Sequence, residues 1–176
     1  MYAHFQRGAV PGREAYPFFS IALENLVVVG GWLLATYLFW PVWQPAGIPV
    51  LGIGWLLLVL VIQILLKKHN CSGCYYYGKW CHLGWGKIAA VLFEPNSGNP
   101  KVGEKLALFY VLSPPTILVT SLLFLIFGHP TPAYWGVWGL YLLSIAISFP
   151  LRKSGCRQCA LRNVCPGSAV KQGAAQ

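Results

Sequence analysis

Four apolar runs, each long enough to cross a bilayer, decide what this chain can fold into. They cover residues 18–41, 48–66, 106–127 and 132–150. A hydrocarbon core needs about 20 residues of helix at about 1.5 Å rise each. Lipid offers no partner to backbone amides, so such runs are expected to be helices. Only 10% of the residues are charged, against about 25% in a soluble domain, too few to coat a surface that faces water. The first run follows a polar lead, exceeds the length of a signal-peptide core and lacks a small-residue cleavage site, so it is expected to remain as a span. The expected fold is an all-α integral membrane protein: four transmembrane helices as two repeated hairpins, each followed by a Cys-rich metal-binding loop. Its parts are an N-terminal lead (1–17), a first hairpin (18–66), a Cys-rich loop (67–105), a second hairpin (106–150) and a Cys-rich tail (151–176).

The basic residues orient it. The two short connections, 42–47 and 128–131, contain no Lys or Arg. All thirteen lie in the lead (Arg7, Arg13), the 67–105 loop or the tail. Those three segments share one side of a four-span protein, and the positive-inside rule makes that side cytoplasmic. The net charge of +9 therefore reads as a topology signal and an attraction to anionic lipid. It is spread along a membrane face without a recognition motif, which argues against nucleic-acid binding.

All six cysteines fall on that same side, in two triplets: Cys71, Cys74, Cys81 and Cys156, Cys159, Cys165. Cytoplasmic thiols rarely form structural disulfides, so spaced clusters point to metal or redox chemistry. Each triplet follows two spans, a basic pair (Lys67-Lys68; Arg152-Lys153) and two further residues, and opens with C-x2-C. Glycine and lysine close both motifs. The halves run in one orientation, so a pseudo-twofold axis along the membrane normal is expected to bring the triplets face to face as one composite site.

A C-x2-C turn aims two thiolates at one centre, and a distant third closes the pocket. Three thiolates leave a tetrahedral ion one ligand short, and several arrangements complete it. His82 or His69 can serve the first triplet, with His82 the leading candidate, although no histidine lies near the second. Six thiolates can share two zinc ions through bridging sulfurs. Four can hold one ion or cluster, or each triplet can hold a cubane cluster with one iron ligated otherwise.

The C-x2-C-x6-C and C-x2-C-x5-C spacings resemble, in ligand arithmetic alone, the binuclear zinc clusters of fungal transcription regulators. Cys156-x2-Cys159-x5-Cys165 followed by Pro166-Gly167 is similar to auxiliary iron–sulfur motifs of radical-type enzymes and, more loosely, to the Cys-Pro ending of ferredoxins. The architecture resembles that of membrane-bound polyferredoxins, which carry clusters at the cytoplasmic ends of spans, although their C-x2-C-x2-C-x3-C-P runs are absent.

Other chemistries fall away. Haem between spans needs histidines within them, and His4, His69, His82 and His129 all lie outside. No P-loop, dinucleotide fingerprint, Ser-His-Asp set or HExxH occurs. Glu24, with Asn25 beside it, is the one acid within a span, about 8–10 Å in along the helical rise. It is expected to sit among head groups near the helix N-terminus, the alternatives being a proton- or quinone-site carboxylate or a contact to a partner's span. Tyr75–Tyr77, Trp80 and Trp85, like Trp40, Trp43, Trp135 and Trp138 at the other face, read mostly as interfacial belts. Residues 87–94 are expected to form an amphipathic segment on the membrane, and Pro114-Pro115 to kink or break the third span.

The expected function is a metal-binding membrane subunit carrying an iron–sulfur cluster. It would pass electrons between a cytoplasmic redox partner and a quinone or a larger membrane complex. The alternatives are a zinc-stapled structural or assembly subunit, and a membrane thiol–disulfide carrier. The partners expected are the lipid bilayer and further subunits of a membrane complex. The orientation is directly testable. In His129→Cys, an impermeant maleimide added to intact cells should label the new thiol above the wild-type background; labelling only from the cytoplasmic side would overturn the orientation.

Overall fold

A computed structural model of the protein describes residues 9–165 and 167–170. His4, Arg7, Pro166 and Lys171, which bear on the sequence reading, lie outside the described residues. Among the described residues six α-helices succeed one another: α1 (Phe18–Phe39), α2 (Val50–Leu66), α3 (Trp85–Leu92), α4 (Pro100–Ala107), α5 (Phe109–Phe127) and α6 (Pro132–Arg157). No strand forms among the described residues, only an isolated bridge between Arg13 and Cys159. Four stretches of the described residues are long and apolar enough to cross a membrane: α1, α2 with its extension to Cys71, α4 with α5, and α6.

Proline punctuates the bundle. Pro17 and Pro49 immediately precede α1 and α2, and Pro132 opens α6, positions where the missing amide would have had no helical partner. Long apolar side chains such as Phe19, Leu57, Val111 and Phe127 stand outward and exposed. In water they would form an untenable patch, so their natural surrounding is lipid.

The α1–α6 contact is the most extensive and α1–α2 comes next. Two tyrosines pin α1 and its approach to α6 in antiparallel register. Tyr134 donates to Leu38 O at 2.9 Å at one end, and Tyr16 donates to Gly155 O at 2.8 Å at the other. Between them Ala35, Leu38, Val59, Ile117 and Tyr141 form the buried core. Trp55 Nε1 donates to Trp32 O across α1 and α2, and Trp138 Nε1 to Ser121 Oγ across α5 and α6. α5 and α6 nevertheless touch sparsely for consecutive helices. The close α1–α2 packing of the first hairpin thus has no equal in the second.

Three expectations change. The third span is not broken at its prolines: α5 runs through Pro114 and Pro115, and the interruption lies at Leu108, between α4 and α5. Leu108 lies six residues before Pro114, beyond the i−4 carbonyl that a proline ring displaces. Both cysteine-bearing helices also run further than their apolar stretches. α2 continues as a π turn over Lys67–Cys71, with the Ser72 amide reaching back to Lys67 O at 3.1 Å. α6 continues to Arg157 and carries Cys156 within it. Finally, Tyr76 belongs to no interfacial belt; it is 2% exposed.

Candidate metal centre

The first cysteine of each triplet rides on the end of a span helix, and both helices run out into the same kind of turn. Cys74 N donates to Cys71 O at 3.3 Å and Tyr77 N to Cys74 O at 3.0 Å. In the second triplet Cys159 N donates to Cys156 O at 3.1 Å and Arg162 N to Cys159 O at 3.2 Å. The second sulfur of each pair receives the amide two residues ahead. Tyr76 N–H bonds Cys74, and Leu161 N–H lies 3.4 Å from Cys159 Sγ. Such amide bonds orient a sulfur and favour its charged form.

All six thiols line a single cavity of about 160 Å³. Cys156 is buried and the other five are half-buried. Tyr76, His82, Trp85, Arg152 and Arg162 complete the relevant walls, and no carboxylate lines it. Among the described residues, no three His, Cys, Asp or Glu side chains converge closely enough to hold one metal ion. The thiols ring a space rather than point at one centre.

His82 and His69 part company. His82 lines the cavity, and its Nδ1 lies 3.0 and 2.9 Å from the two carboxylate oxygens of Glu24. A carboxylate holding one ring nitrogen while the other is left for a metal is a recurrent arrangement around metal centres. His69 instead accepts the Asn99 amide through Nδ1 at 2.9 Å and does not line the cavity. Glu24 itself corrects the head-group expectation. α1 already begins at Phe18, which places Glu24 inside the helix, 8% exposed. The 81–85 turn folds over it, fastened by Asn25 Nδ2 donating to Leu83 O at 3.0 Å. The sequence held a usable signal: an acid inside an apolar run needs a partner, and His82 directly follows a triplet cysteine, Cys81.

The lead before α1 ties the two cysteine segments together, a role the sequence did not reveal. Val10 N donates to Ala160 O at 2.9 Å and Arg13 N to Gln158 O at 2.8 Å, while Tyr16 N donates to Trp80 O at 2.9 Å. The approach is so close that a Cβ on Gly12 would stand 2.6 Å from Ala160 N. Tyr76 is the hub. Its hydroxyl donates to Arg13 O at 2.6 Å and accepts the Ala160 amide at 3.1 Å. Arg162 Nη1 adds a bond to Pro11 O at 2.8 Å.

Burial governs the electrostatics. It holds the Cys74 thiol well above the ordinary range, Cys71 adding to the effect and the Tyr76 amide opposing it. Burial likewise raises Cys159, against the Leu161 amide, and pushes the Tyr76 phenol up to about 12 against the Ala160 amide. Burial thus favours the neutral thiol at Cys71, Cys74 and Cys159. A metal captured by them would displace protons, so its affinity would rise with pH and go on rising above the range where free thiols ionise.

The chain matches no known family model, no curated protein and no solved structure. What the site can do rests on its own chemistry: thiols from both halves, paired amides, two guanidiniums and a carboxylate-anchored histidine. Tyr76→Phe tests the hub. The ring stays but Arg13 O and Ala160 N–H lose their partner, and a buried polar group left unpaired costs about 1–3 kcal/mol. The thermal midpoint in detergent should fall accordingly, and an unchanged midpoint would contradict the role given to Tyr76.

Proposed function

We propose that this chain is an iron–sulfur electron carrier of the membrane, passing electrons between a redox partner on its cysteine-bearing side and a quinone or larger complex within the bilayer. The observation that carries the reading is the cavity ringed by Cys71, Cys74, Cys81, Cys156, Cys159 and Cys165. Thiols that surround a space without converging in threes suit a multi-atom cluster, which brings its own sulfides, better than separate single ions with metal–sulfur bonds of about 2.3 Å. Arg152 and Arg162 in the walls offset the negative charge of thiolate ligands. Such a cluster, when bound, supplies reversible electron uptake at a potential set by hydrogen bonds to sulfur and by solvent exposure.

The chain's own residues do the rest. The six cysteines are the proposed ligands, with His82 a seventh that Glu24 orients. The amides of Tyr76 and Leu161 bond cysteine sulfurs, and Tyr76 and Trp85 keep water from the walls. The Lys and Arg distribution supports a cytoplasmic side for the termini and the cysteines, where a soluble redox partner or further subunits would meet the site.

Anaerobically purified protein should show a broad visible absorption that dithionite bleaches, with iron and acid-labile sulfide in equal amounts. Zinc without iron would replace this reading with a zinc-stapled structural subunit. Metal-free protein of full stability would replace it with a thiol–disulfide carrier.

A further inference from the structure

A second cavity, of about 280 Å³, lies against the first and reaches into the spanning part of the bundle. It exists because α5 and α6 diverge. Their sparse contact leaves a gap that α1 only partly closes, so the walls come from residues 24–32 of α1, 110–117 of α5 and 141–152 of α6. Its polar groups gather towards the cysteine end. Glu24, Tyr110, Ser113, Ser148 and Arg152 lie there, while Trp32, Trp55, Ile117 and Tyr141 line the deeper part. Leu83, Trp85, Tyr110 and Arg152 line both cavities and form the wall between them.

We infer that this cavity is a binding site for the ring of a membrane quinone. The inference rests on the electron-carrier reading, which it deepens by naming the partner and its place. Three features favour that occupant. The aromatic walls suit a flat ring, and hydroxyl groups near the cysteine end suit its carbonyl oxygens. The charge suits a neutral head group. Arg152 already donates to Gly167 O at 2.9 Å and lies 5.5 Å from the Tyr110 ring centroid, and the Glu24 carboxylate opposes the phosphate of a phospholipid. Position supplies the third: the ring would stand one side chain away from the thiol cavity. Glu24 also makes a direct link, lining this cavity while bonding His82 in the wall of the other.

Adjacent glycines give a matched test. A Cβ on Gly31, which lines the cavity, would meet only Ser144 Oγ, at 3.4 Å, whereas one on Gly30 would meet open space. Gly31→Leu therefore fills the cavity, and Gly30→Leu serves as the control. The wild type and both variants are purified anaerobically into nanodiscs and titrated with a decyl-tailed benzoquinone. The readout is quenching of tryptophan fluorescence, to which Trp32, Trp55 and Trp85 in the walls contribute. Gly31→Leu should weaken saturable quenching about tenfold or more, while Gly30→Leu matches the wild type and iron content stays equal in all three. Equal quenching in all three would mean partition into lipid and would overturn the site.

A photoreactive azido-benzoquinone on the wild type gives an answer independent of how the variants fold. Its cross-links should map to residues 24–32, 110–117 or 141–152. Iron–sulfur protein whose cross-links map elsewhere would sink the cavity and leave the electron-carrier reading standing. Cross-links within these segments on metal-free protein would do the reverse. Recovery of a tightly held phospholipid that the quinone fails to displace would assign the cavity to lipid and overturn the inference.

Discussion

One hydroxyl holds three distant segments together. Tyr76 sits in the first cysteine loop, donates to Arg13 O in the N-terminal lead and accepts the Ala160 amide from the tail. Each partner is a backbone group that would otherwise be left unpaired beside an apolar bundle, where an unmet hydrogen bond is costly. The phenol thus fixes the register of the lead against both C-x2-C turns. With that register set, Tyr16 reaches Gly155 and Trp80, and the 81–85 turn can lie over Glu24. The thiol cavity is what these contacts enclose.

The spans are legible in the sequence because lipid imposes a severe rule. A helix that crosses it must be apolar for most of its length and must satisfy its own backbone. The cysteine spacing is legible for a similar reason, since C-x2-C already encodes a turn, and both turns close with the same hydrogen bonds. What stays hidden depends on distant chain segments meeting. Nothing local in Arg13 or Gly12 says that the lead runs beside Ala160. Nothing in the tyrosine triplet says that Tyr76 turns inward while Trp80 stays exposed. The prolines of α5 mislead because the helix continues through them, while the chain is interrupted at Leu108 instead.

Glu24 illustrates how a membrane setting sharpens chemistry. An acid at that depth survives by pairing, and the partner is a histidine that itself borders the thiols. The pair couples the wall of the membrane cavity to the wall of the thiol cavity through bonds of 2.9 and 3.0 Å. Arg152 serves both spaces, bordering the thiols, stacking near Tyr110 and holding Gly167.

The central claim is that the two triplets make one site, and metal content of single-ligand variants measures it most directly. Cys74→Ser and Cys159→Ser, each in one half, are purified beside the wild type and analysed for bound metal per chain. Metal binding free energy is also folding free energy, so a shared site predicts that either change empties the whole protein of metal and lowers the stability of both hairpins. Two independent sites would leave about half the metal in each variant with the opposite triplet intact, and that result would contradict the account.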